Sequence, residues 1–123
     1  MSEAEFQKRI AIIKDRFGLK LAFYLRDTTE HLPKLVGNSP AAVEATTTAY
    51  RRFHDICGIG PTVGFEETGR AARPIDAMLA GACRTDRGLT EDEMIFLEEG
   101  LKNVRAAVLA DGGSMPELEA EPG

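Results

Sequence analysis

His54 is one of only two histidines in the 123-residue chain, and three glycines follow it closely, Gly58, Gly60 and Gly64. It stands in the run Arg52-Phe53-His54-Asp55-Ile56-Cys57-Gly58-Ile59-Gly60-Pro61-Thr62-Val63-Gly64. Imidazole titrates near neutrality, at about 6.5, so at cell pH it offers a neutral nitrogen lone pair as a nucleophile. On a helix, residues four apart lie side by side, which puts Gly58 next to the imidazole. Glycine inside a helix costs about 1 kcal/mol relative to alanine. The simplest reason to place one here is access: a bare patch beside His54 through which something large reaches the ring. The other histidine, His31, has no such setting and reads as an exposed helix residue.

Little else in the chain suggests chemistry of its own. There is no phosphate-cradling glycine loop, no obvious carboxylate cluster for Mg2+ and no nucleophile–base pair. The acids Glu91, Asp92 and Glu93 read as helix capping. Cys57 and Cys83 are too few for a disulfide framework or a zinc cage, and read as small core-edge residues. A net charge of −5 argues against a nucleic-acid partner held by phosphate contacts. No apolar run approaches the roughly 20 residues of a membrane span, and the acidic start Met1-Ser2-Glu3-Ala4-Glu5 lacks a signal-peptide pattern. Composition therefore points to a soluble, cytoplasmic protein without nucleic-acid or membrane partners.

The elements that must position His54 are all helical. Ser2 with Glu5 forms a capping box ahead of an apolar stripe of Phe6, Ile10, Ile13 and Phe17, and Gly18 is a plausible stop. Leu21, Leu25, Thr28, Leu32 and Leu35 make the next stripe, with Pro33 awkward in its last turn. Ser39-Pro40 starts a third helix whose stripe runs through Val43, Thr46, Tyr50, Phe53, Cys57 and Gly60. His54 lies about 100° around from Phe53, at the edge of that stripe. Pro61 ends the helix. A fourth carries Phe65, Thr68, Ala72, Ile75, Leu79 and Ala82, with Pro74 expected to kink or split it. Thr90 to Glu93 caps a last helix with Met94, Leu97, Leu101, Val104 and Val108. The expected fold is all-α: an antiparallel up-and-down four-helix bundle with an additional N-terminal helix packed against it. The domain is expected over residues 1–110, with 111–123 a disordered tail or linker.

His54, Ile56, Gly58, Gly60 and Gly64 fall at the spacings of a known motif. The run resembles that of histidine-containing phosphotransfer (HPt) domains, and is similar to the first domain of chemotaxis-type histidine kinases. The helical order matches over roughly residues 1–110. One position departs: the family often has lysine three residues after its histidine, and here that residue is Cys57. The resemblance implies that His54 accepts a phosphoryl group from a histidine kinase, a hybrid kinase or a receiver-domain aspartate, and passes it to a response regulator receiver domain.

On that reading Gly58 is clearance for the docking partner. Arg51, about 60° around the helix from His54, is a candidate to neutralise the phosphoryl group in place of the missing lysine. The chain needs no cofactor of its own, since Mg2+ and acidic residues come with the partner, and it carries no kinase domain or ATP site. The alternative is a non-catalytic helical interaction module, a degenerate relative that binds receivers without carrying phosphate. Cys57 in the lysine place gives that alternative its weight.

Overall fold

The structure is a computed structural model that describes residues 2–115. Among these residues there are four α-helices and no strand: α1 (Glu3–Glu30), α2 (Pro40–Ile59), α3 (Glu66–Arg84) and α4 (Glu91–Ala110). Short 3-10 turns, Leu32–Leu35 and Gly60–Val63, follow α1 and α2. The most extensive packing is of α2 on α3, then of α3 on α4. Leu21 and Leu25 of α1, Phe53 and Ile56 of α2, Ile75 and Leu79 of α3, and Leu97, Leu101 and Val104 of α4 share one buried core.

Local sequence explains most helix ends. Ser39 accepts a hydrogen bond from the Ala42 amide at 3.1 Å, with Pro40 opening α2. Pro33 and Pro61 each sit in a 3-10 turn just beyond a helix, where a missing amide donor is tolerated. At α4, the Glu93 amide donates to Thr90 Oγ1 at 3.1 Å while the Thr90 amide donates to Glu93 Oε1 at 3.0 Å. Arg87 grips the same carboxylate with two bonds, at 2.6 and 3.0 Å.

The Arg87 hydrogen bond is the chief reason the Glu93 carboxyl is held down at about 2; burial opposes it, and the bond from Thr90 helps. A folded-state pKa below the unfolded value of about 4.3 gives stability that is complete above the unfolded pKa and is lost as pH falls toward the folded one. Glu93→Gln keeps the capping box and loses the charge paired with Arg87, so it is expected to cost about 1 kcal/mol at neutral pH, the upper end for a partly exposed ion pair. In urea titrations the gap to wild type should close as pH falls toward 2. A gap that stays constant through the acid range would contradict this account of the cap.

Backbone contacts close both ends of the fold. At one end the amide of Leu89 donates to the Leu35 carbonyl at 2.7 Å and that of Gly37 donates to the Leu89 carbonyl at 3.0 Å. This joins the α1–α2 and α3–α4 connections. Gly88 is needed there: a Cβ would lie 2.2 Å from the Gly37 carbonyl oxygen. At the other end Asp111 caps α3 from outside that helix. Its carboxylate accepts from the Thr68 amide and hydroxyl, both at 2.8 Å, and from the Glu67 amide at 3.3 Å. Negative charge at a helix N-terminus is favourable. Lys14 donates to the Asp111 carbonyl at 2.6 Å, tying α1 to the same corner.

Five features differ from the sequence-based expectation. Gly18 does not end a helix, and there is no separate N-terminal helix; both predicted segments form the single 28-residue α1. The cost of one glycine is outweighed by the apolar stripe that continues through Phe17, Leu21 and Leu25, all buried. Nor is the first segment packed against the bundle, because every residue from Ser2 to Ile13 is exposed. On α2 the buried line is Ala42, Thr46, Ala49, Phe53, Ile56 and Gly60, rotated from the expected one; Val43, Tyr50 and Cys57 are half-buried. Finally, the fold runs past residue 110. Asp111 is part of it, and Met115 is buried in the core. The rest of the expected tail lies outside the described residues. Pro74 lies within α3, which runs unbroken from Glu66 to Arg84 rather than splitting in two.

Candidate functional site

The rotated core line of α2 turns His54 further from the interior than the sequence pattern suggested. The line now centres about 120° from the imidazole. The His54 side chain is 66% exposed. Phe53 and Ile56, its neighbours on the buried side, are fully enclosed and fix the helix that carries it. One turn back, the Tyr50 ring lies against the imidazole with centroids 5.4 Å apart and planes 32° from parallel.

Across from α2, Asp76 of α3 holds one ring nitrogen. His54 Nδ1 and Asp76 Oδ1 are 3.3 Å apart. An ionised carboxylate only accepts hydrogen bonds, so the ring nitrogen facing it is the one that carries hydrogen. In the neutral ring that leaves the lone pair on Nε2. The arrangement is a nucleophilic nitrogen on a packed helix, its tautomer set by an acid on the neighbouring helix.

Gly58 is exposed one turn after His54, and a Cβ built there would meet nothing within 4 Å. Space beside the ring is therefore open on that side. Gly60 is buried against Phe65, a packing position. Gly64 has φ +103° and serves the turn into α3.

The charged residues divide. Arg51 is exposed and lines an open groove with Tyr50, His54 and Asp55. Arg52 turns away to pair with Asp27 of α1, its guanidinium over the Phe23 and Tyr24 rings. Tyr24 donates to Asp55 at 3.4 Å. His31 caps the end of α1, with Nδ1 2.8 Å from the Asp27 carbonyl oxygen.

Cys57, one turn after His54 on the half-buried side of α2, supplies no charge. Its sulfur faces the Gly69 carbonyl at 3.8 Å. Burial pushes the thiol up to about 11; the Asp76 carboxylate adds to this and the Arg73 guanidinium opposes it. The thiol therefore stays protonated at cell pH. Arg73, exposed one turn before Asp76 on α3, brings a positive charge to this stretch of α2.

Neither Asp76 nor Arg73 is marked by the sequence. Each lies off the buried stripe of α3, and only the packing of α3 on α2 brings them to His54 and Cys57. Among the described residues no group of three or more His, Cys, Asp or Glu is placed to hold a metal ion. No helix there is long and apolar enough to cross a membrane. Comparison of the chain with protein-family models, with curated proteins and with solved structures finds no match.

Proposed function

We propose that the chain is an HPt-like phosphocarrier: His54 takes a phosphoryl group from a kinase or a receiver-domain aspartate and hands it to a receiver domain. The observation that carries this reading is the exposed imidazole with an acid on Nδ1 and an open position at Gly58. The finer fold is an antiparallel up-and-down bundle. It is supported by contacts in which residue number rises on α2 as it falls on α3: Thr47 with Cys83, His54 with Asp76, Cys57 with Gly69.

In the step, the Nε2 lone pair attacks the phosphorus of an aspartyl phosphate. The N–P bond forms as the P–O bond breaks, and its electrons return to the aspartate carboxylate. Nδ1 keeps its hydrogen, so the phosphorylated ring is cationic and Asp76 stabilises it. Such transfer needs placement and charge neutralisation more than covalent help from the protein. The partner brings the Mg2+. Arg51, in the groove beside the ring, and Arg73 of α3, near Cys57, take over the charge neutralisation that Cys57 does not provide.

Asp76→Ala should slow phosphorylation of His54 about tenfold, the effect of losing one hydrogen bond to a charged group. In the same assay Arg51→Ala should slow transfer by a smaller factor, with unchanged far-UV CD. If both variants load at the wild-type rate from an acetyl-phosphate-charged receiver, these roles are wrong. The alternative reading, a receiver-binding module that carries no phosphate, rests on the uncharged Cys57. Receiver binding without any label on His54 would establish it instead.

A further inference from the structure

The first eleven residues of α1 project beyond the fold they belong to. From Glu3 to Ile13 every residue is exposed, and Lys14 makes the first side-chain hydrogen bond from α1 to another helix or loop. That stretch is about 16 Å of helix. It nonetheless carries an apolar line: Phe6, Ile10 and Ile13 fall within about 60° of one another, and are 49%, 42% and 46% exposed. The line runs straight into Phe17, the first buried residue of α1. A helix this short is marginal in water without packing, so the pattern calls for a cover.

The charges beside the line identify one. Glu3 and Glu5 lie at its start and Lys14 and Arg16 at its end. By rotation, Glu3 and Lys14 flank one side of the line, and Glu5 and Arg16 the other. A second copy of the helix laid antiparallel, with Phe6 against Ile13 of the second copy, brings Ile10 near its own equivalent. It also brings Glu3 to Lys14 and Glu5 to Arg16 across the pair, each twice by two-fold symmetry. Arg9 alone meets its own charge near the axis. A parallel pair would instead set Glu5 beside Glu3 and Arg16 beside Lys14 of the second copy, like charge against like.

We infer that residues 3–16 of α1 form an antiparallel, two-fold homodimer contact through Phe6, Ile10 and Ile13, with register set by Glu5–Arg16 pairs. The contact is isologous, as closed dimers require, and lies on a different part of the chain from His54.

Sedimentation velocity on the full chain tests it. Wild type at tens of micromolar should sediment at twice its 13.4 kDa mass. Ile10→Asp, a change at an exposed position, should return it to a monomer with its thermal unfolding intact. Glu5→Arg and Arg16→Glu should each weaken the dimer about tenfold, since reversal turns two attractive pairs repulsive. An equimolar mixture of those two variants should recover wild-type association, because both cross-pairs are again opposite in charge. A wild type that stays monomeric, whatever then covers the line, overturns the inference. So does a dimer indifferent to Ile10→Asp, or a mixture no tighter than either variant alone.

Discussion

His54→Gln is expected to abolish acid-labile, base-stable phosphoryl label on this chain while leaving its stability within about 1 kcal/mol of wild type. The two halves of that expectation come from the same geometry. The imidazole is largely exposed, and its contacts are one long hydrogen bond to Asp76 and the face of Tyr50. An exposed pair of that kind contributes about 0–1 kcal/mol, so folding does not depend on it. The Nε2 lone pair, by contrast, has no substitute: a glutamine amide nitrogen is delocalised into its carbonyl and does not attack phosphorus. Label that persists in the variant would place the phosphate elsewhere and end the His54 reading.

Gly58→Leu is expected to reduce transfer about 100-fold, the scale of an ångström-sized misplacement at a reacting centre, without unfolding the protein. A side chain at residue 58 meets nothing within 4 Å of its Cβ, so the folded state accommodates leucine. Helix propensity even favours it, by up to about 1 kcal/mol. The isobutyl group then stands beside His54, in the space a receiver's aspartyl pocket must enter. Thermal melts and transfer rates on the same preparation separate the cases. A stable variant that transfers at the wild-type rate contradicts the access role of Gly58. An unfolded one makes Gly58 a packing residue.

What the sequence made legible was local. Ser39-Pro40 and the Thr90–Glu93 box form as their spacing predicts, because a cap depends on three or four consecutive residues. The stripes of α3 and α4 are buried residue for residue, apart from the half-buried Met94. Contributions from distant chain segments were not legible. Asp111 caps a helix that begins 45 residues earlier in the chain, and no spacing rule finds it. Asp76 reaches His54 only because α3 folds back on α2.

Periodicity also reports a face without saying what covers it, so Phe6, Ile10 and Ile13 read as packed when they are exposed. On α2 the larger Val43 and Tyr50 drew the expected core line away from the true one. The small Ala42 and Ala49 are the residues buried there. The exposure of His54 and Gly58 was legible, because a glycine one turn from a residue at the edge of the stripe does not serve packing.

The most direct measurement is mass spectrometry of the intact chain and its peptides after mixing with Mg2+ and receiver domains charged by acetyl phosphate. The predicted result is one added phosphoryl group, on the peptide that contains His54, absent from His54→Gln. A chain that remains unmodified while the receivers still hold their phosphate, or one modified at any other residue, would contradict it.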